Sequence, residues 1–157
     1  MELQKIDGEN RERINDFIIR HWFTLQMVIH GESIDLGKAA GWYACDDHEI
    51  IGLVTYRISR NEMEILSLDS LRENKGTGTA LLHQALSDAR NLGLARVRLT
   101  TTNDNLHALR YYQKRGFDII RFYHNALDDA RKTKPEIPLI GMDGIPLKHE
   151  IELEYIL

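Results

Sequence analysis

The stretch from Glu64 to Leu82, EILSLDSLRENKGTGTALL, limits what this chain can be more than any other. It reads as a strand that runs into a short polar loop, tightens at Gly76 and Gly78, and continues as an amphipathic helix. Glycines two residues apart let the backbone turn sharply and expose successive N–H groups without Cβ atoms in the way. The helix N-terminus adds partial positive charge, and Thr77 and Thr79 add hydroxyl donors. The stretch therefore suits a phosphate-bearing anion, although two glycines before a helix also make an ordinary turn. It is not a Walker loop, because no Lys-Ser/Thr pair follows the second glycine. Nor is it a full dinucleotide fingerprint, because Leu81 stands where the third glycine belongs.

The pattern around this stretch predicts one mixed α/β domain over residues 1–157. A first strand covers residues 1–6. Ile14, Phe17, Ile18 and Trp22 recur at helical spacing within residues 9–23. Residues 31–41 show no period and read as a loop or bent helix. Residues 41–70 form a three-strand antiparallel meander, with turns at Asp46–His48 and Arg60–Asn61. On the middle strand, Ile51, Leu53, Thr55 and Arg57 share one face, and Gly52, Val54, Tyr56 and Ile58 share the other. A helix over 77–92 stops at Gly93, and a strand follows over 95–101. A second helix over 104–115 has Thr102 or Asn103 as N-cap and stops at Gly116. A strand at 117–123, a short helix at 125–132, a proline-punctuated connection and a last strand at 150–156 complete the order. On that last strand Glu150, Glu152 and Glu154 alternate with Ile151, Leu153 and Tyr155, as on a solvated face.

Composition narrows the class. Hydrophobic residues make up 43% and charged residues 28%, an ordinary globular balance. A net charge of -4 disfavours nucleic acid, whose binding rests on basic patches. The lone Cys45 excludes an intrachain disulfide and reads as a small buried apolar residue. His21 and His30 stand singly, with no second ligand at metal-site spacing, so no metal is expected. The first residues lack the apolar core of a signal peptide, and no apolar run is long enough to span a membrane, so a cytoplasmic protein is expected.

A second constellation, NDNLHALRYYQKRGF at 103–117, places Asn105, Ala108 and Tyr112 on one helical face before Gly116 and Phe117. Together the two stretches resemble the GNAT superfamily of N-acetyltransferases. The signature R/Q-x-x-G-x-G/A reads here Glu73-Asn74-Lys75-Gly76-Thr77-Gly78. The family's Asn-x-x-Ala-x-x-x-Tyr-x-x-x-Gly-Phe is matched by Asn105, Ala108, Tyr112, Gly116 and Phe117. Glu73 departs from the usual Arg or Gln, and an acidic side chain beside a pyrophosphate is unfavourable unless it turns outward.

The resemblance implies a twisted mixed sheet of about seven strands with splayed central parallel strands, flanked by helices. It implies acetyl-CoA as co-substrate and a small-molecule or peptide amine as acceptor. Backbone groups of Leu68, Asp69 and Ser70 would meet the pantetheine arm. Asn74, Lys75, Gly76, Thr77, Gly78 and Thr79 would hold the pyrophosphate, and Asn105 would bond the pantetheine or a water. Tyr112 would protonate the leaving thiolate as general acid. Glu64 leads as proton acceptor, with Asp69 as its alternative. The acceptor would be read by residues among Trp22, His30, Trp42, Tyr123, His124, Glu150, Glu152 and Glu154. The resemblance admits a homodimer through late strands. A non-catalytic acyl-CoA sensor or partner-binding domain would use the same fold.

Overall fold

The computed structural model describes all of residues 1–157. Its strands are β1 (Glu2–Lys5), β2 (Gln26–Ile29), β3 (Glu32–Asp35), β4 (Ala40–Asp46), β5 (Glu49–Ser59), β6 (Glu62–Ser70), β7 (Arg96–Thr102), β8 (Asp118–Tyr123) and β9 (Glu150–Ile156). Its helices are α1 (Arg11–Trp22), α2 (Thr77–Asn91), α3 (Leu106–Lys114) and α4 (Ala126–Thr133). Seven strands form one mixed sheet in the order β1-β4-β5-β6-β7-β9-β8, and β2 and β3 pair as a separate hairpin. The chain divides into two compact units. The first holds residues 1–26, 35–97 and 157, and the second holds 27–34 and 98–156.

In the first unit, β4, β5 and β6 form the antiparallel meander. Asp47 and His48 both take positive φ (48° and 67°), which closes the β4–β5 hairpin with the backbone twist that two-residue turns favour. The β5–β6 register slips once: Thr55 pairs with Ser67, but Tyr56 pairs with Ile65. Leu66 is the extra residue, a β-bulge. An uninterrupted strand would separate Glu64 from Ser67 and Asp69, because odd spacings point to opposite faces. The bulge resets the alternation. Glu64 stands opposite Arg57, Ser67 opposite Thr55 and Asp69 opposite Leu53, all on one face.

The other face of the meander packs on α2. Leu81, Leu82, Ala85, Leu86 and Ala89 of that helix are buried. Trp42 Nε1 and Tyr56 OH both donate to Asp88 Oδ2, at 2.7 and 2.8 Å. The helix starts close to the sheet because β5 carries Gly52 there. A Cβ on Gly52 would stand 2.5 Å from the Asp69 carbonyl oxygen, 3.1 Å from Thr77 Cγ2 and 3.2 Å from Leu81 Cδ1.

In the second unit, β8 and β9 pair antiparallel, with Tyr123 opposite Glu150. The helix α3 begins later than its sequence suggests. Asn105 is itself the N-cap, its Oδ1 accepting from Ala108 N at 3.0 Å. Neither Thr102 nor Asn103 caps it. Asn103 instead pins the chain before β9: its Oδ1 accepts from Lys148 N and His149 N, each at 2.9 Å. Asp104, 4% exposed, accepts from Met142 N at 2.9 Å. Arg131 Nη2 donates to the carbonyls of Leu147 and Pro138, at 2.6 and 2.7 Å. These bonds fix the proline-punctuated connection, whose backbone groups have no regular ladder to satisfy them.

Two expectations are corrected. Residues 31–41 are not one loop or bent helix: Glu32–Asp35 is a strand and Leu36–Lys38 a 3-10 turn. The glutamates of β9 are not a solvated row, for Glu150 and Glu152 are each 3% exposed. Gly52→Ala is expected to destabilise the fold by about 1–3 kcal/mol, because β6 backbone cannot yield to the added methyl. Gly8→Ala, with open space around it, should stay within about 0.5 kcal/mol. Urea denaturation of both variants checks the difference.

Candidate active site

The loop after β6 has the conformation that its sequence requires. Asn74 and Gly76 take φ values of 57° and 79°, in the left-handed region. No atom would crowd a Cβ on Gly76, so the glycine answers to backbone angle rather than to space. Alternation of left- and right-handed residues turns successive N–H groups toward one side, the geometry of an anion-binding nest. Gly76 is also the N-cap of α2, and no side chain caps that helix. Its first N–H groups lack intrahelical acceptors by construction. Thr77 is 1% exposed and packs its methyl toward Gly52, which seats the loop on the sheet.

The residue that departs from the signature does not obstruct this cradle. Glu73 is exposed, as are Asn74 and Lys75. The adjacent Arg72 is drawn to Asp46 in an ion pair, and that guanidinium holds the Asp46 carboxyl below the usual carboxylate range. Ser70 Oγ donates to the Arg72 carbonyl at 2.9 Å and closes the turn between strand and loop. The residues present therefore fit a pyrophosphate: a positive-φ loop, an uncapped helix start and an acidic side chain in solvent.

The bulged face of β6 carries a row of polar groups. Thr55 and Ser67 share a buried hydrogen bond of 2.5 Å. Glu64 is 3% exposed, and its Oε1 accepts from Arg57 Nε at 2.6 Å. Asp69 is different. Its Oδ2 is buried and has no hydrogen-bond partner. Burial pushes its carboxyl up to about 7, so the group exchanges a proton near neutrality. Leu68 sits between them on the opposite face, paired with Val54.

The second unit holds the remaining predicted residues. Tyr112 is 8% exposed, with its ring edge-on to Tyr111 and Phe117 at 5.2 and 5.3 Å. Gly116, at φ 93°, turns the chain so that Phe117 returns against that tyrosine and also meets Tyr155 at 5.4 Å. Asn105 spends its Oδ1 on the cap of α3, which leaves its amide nitrogen as the group that can donate elsewhere.

One cluster in this unit was not legible as a whole. Glu150 receives the backbone N–H of His30 at 3.1 Å and faces His30 Nδ1 at 3.2 Å. Glu152 Oε2 accepts from Tyr123 OH at 2.8 Å, and its Oε1 lies 3.8 Å from Arg98. Burial pushes the Glu150 carboxyl up, while the contacts from His30 oppose that shift. Each of His30, Tyr123, Glu150 and Glu152 can be named from sequence as lying near an acceptor. Their pairing cannot, because alternation on a strand does not say which face is covered.

The Acetyltransferase (GNAT) family matches residues 8–117. An uncharacterized protein of Bacillus subtilis (strain 168), YxbD, is 43% identical over 144 residues, covering 91% of each chain. A GNAT family acetyltransferase from Elizabethkingia anophelis, solved with acetyl-CoA bound, superposes with a TM-score of 0.71 at 20% identity, covering 99% of this chain and 97% of that one. A Bacillus subtilis acetyltransferase solved in complex with CoA has a TM-score of 0.68 at 20% identity, with coverage of 99% and 97%. The last two likenesses show a shared fold, while the family match spans most of the chain and both signature stretches. This chain belongs to the GNAT family of acetyltransferases.

Proposed function

We propose that this acetyltransferase moves the acetyl group of acetyl-CoA directly to a primary amine. The observation that carries this reading is the cradle at Asn74–Thr79: two left-handed residues lead into a helix start that no side chain caps. It is supported by structural neighbours solved with CoA and acetyl-CoA. The amides of residues 74–79 hold the pyrophosphate, and backbone groups of Leu68, Asp69 and Ser70 meet the pantetheine arm. The Asn105 amide donates to the pantetheine or to an ordered water. Tyr112 protonates the thiolate as the C–S bond breaks. Its ring, edge-on to Tyr111 and Phe117, is held in one orientation for that task.

A carboxylate of β6 takes the proton that the acceptor ammonium must lose before its nitrogen can attack the thioester carbonyl. Two observations support Asp69: an unpartnered buried oxygen, and a carboxyl pushed by burial to about 7. Glu64 is the other candidate, and its ion pair with Arg57 also gives it a structural task on the same face. A β6 carboxylate that moves a proton distinguishes an enzyme from a non-catalytic acyl-CoA sensor. The acceptor is a small-molecule or peptide amine. The protein acts in the cytoplasm, without nucleic acid, membrane or metal, and it is compatible with a homodimer.

Thiol release from acetyl-CoA over a panel of primary amines tests the reading: at least one amine should accelerate release, and none doing so would remove it. Tyr112→Phe should lower turnover by about 100-fold with little change in acceptor KM, and full turnover would exclude the general-acid role. Asp69→Asn should lower turnover similarly and abolish the acidic limb of the pH–rate profile, whereas Glu64→Gln should keep that limb. Asp69 also predicts a stability signature. Between the ordinary value of 3.8 and about 7, the folded protein keeps a proton that the unfolded chain has lost. Wild-type stability should therefore fall as pH rises through that window, and Asp69→Asn should remove the fall in urea melts of the free protein.

A further inference from the structure

The turn between β8 and α4 is held by a residue from outside it. Asn125 stands there at φ 56°, in the left-handed region, as the N-cap of α4, and its own side chain caps nothing. Asparagine tolerates that conformation better than most residues, but at a cost. The bond that offsets the cost comes from His149, 24 residues on and just before β9. Its ring Nδ1 accepts from Asn125 N at 2.8 Å. A ring nitrogen that accepts has a free lone pair, so this imidazole is neutral and carries its proton on Nε2. Protonation would place a donor at Nδ1 facing the Asn125 N–H, and the bond could not survive.

The surroundings confine the consequence. The His149 backbone is pinned on both sides by Asn103: its N–H donates to Oδ1 at 2.9 Å, and its carbonyl accepts from Asn103 N at 3.0 Å. The body of α4 is docked independently. Leu127 N donates to the Lys148 carbonyl at 3.0 Å, and Arg131 Nη2 donates to the Leu147 carbonyl at 2.6 Å. Before the turn, Tyr123 is anchored through its hydroxyl to Glu152 at 2.8 Å. Loss of the His149 bond therefore frees His124 and Asn125 between two fixed ends.

The charges around the ring oppose its protonation. His124 stacks on it, with centroids 4.9 Å apart and planes 16° from parallel. Phe122 meets it at 4.9 Å and brings no charge. Lys148 precedes it, and the start of α4 adds partial positive charge. Asp128, in the first turn of α4, carries the opposite charge. Burial, His124 and Lys148 lower the His149 titration below the ordinary histidine range, and Asp128 opposes that shift. His149 is half-buried and His124 exposed, so solvent protons reach the pair.

We propose that His149 is a pH-sensitive latch on the β8–α4 turn: neutral, it holds Asn125, and protonated, it lets the turn open. One proton from solvent forms an N–H bond at Nδ1, using the lone pair that had accepted the Asn125 N–H, and no covalent bond breaks. The unfolded chain binds that proton more strongly than the folded one, so the latch contributes stability above the ordinary histidine range and loses it as pH falls through the His149 titration. Asp69 acts on global stability in the opposite sense, so a local probe is required.

Amide exchange followed by NMR on the full chain reads the latch at Asn125 itself. Its protection, corrected for the intrinsic pH dependence of exchange, should be flat above the His149 titration and fall by about tenfold per pH unit below it. The Leu127 amide should change little. His149→Gln, whose side-chain oxygen can accept the same N–H and cannot titrate, should stay flat throughout. His124→Gln should keep the fall but move it to higher pH. The ring nitrogen shifts of the wild type carry the test if His149→Gln does not fold, since they must place the proton on Nε2 at neutral pH. A proton on Nδ1 at neutral pH, Asn125 protection that does not change with pH, or the same fall in His149→Gln would overturn the inference.

Discussion

The bulge at Leu66 is the constraint on which the polar face of the first unit depends. One extra residue in β6 slips the register between Thr55–Ser67 and Tyr56–Ile65. Without it, Glu64 and Asp69 would lie on opposite faces of the strand, since their spacing is odd. With it, Arg57, Glu64, Thr55, Ser67 and Asp69 form a polar row on one face. The other face stays free to pack on α2. A bulge costs ladder hydrogen bonds locally, and in this strand the loss is offset by side-chain bonds across the same register, Thr55 with Ser67 and Arg57 with Glu64.

From the bulge the strand leads directly into the cradle. Gly52 on the neighbouring strand lets Thr77 and Leu81 approach the sheet, so the start of α2 is held against β5 and not left to the loop. Gly76 supplies a backbone angle and Gly52 supplies room, which are different uses of the same residue type. Glu73 lies exposed, so the one mismatch with the cofactor signature places no charge in the cradle.

The elements with strong periodicity were legible in the sequence: the meander, α2 with its row of Leu and Ala, and the helix that ends at Gly116. The left-handed turn at Gly76 was legible because glycine requirements are local. Three things were not. The hairpin that presents His30 depends on a carboxylate 120 residues away in the chain, which no local rule contains. The Leu66 bulge leaves no mark in a strand whose residues are all compatible with either register. The burial of Glu150 and Glu152 reverses the usual meaning of alternation, because β9 is an inner strand with β7 and β8 on its two sides and partners for its carboxylates. The isolated Gly52 in an apolar strand was the one unused local signal, since glycine there points to a close approach.

Calorimetry tests most directly whether the loop from Asn74 to Thr79 grips a pyrophosphate. CoA and pantetheine, which lacks the pyrophosphate and nucleotide, are titrated into the wild type and into Gly76→Val, where a β-branched residue cannot readily adopt the φ of 79°. CoA should bind the wild type far more tightly than pantetheine does, and Gly76→Val should erase most of that difference. Pantetheine binding as tightly as CoA, or an unchanged CoA affinity in Gly76→Val, would contradict that grip.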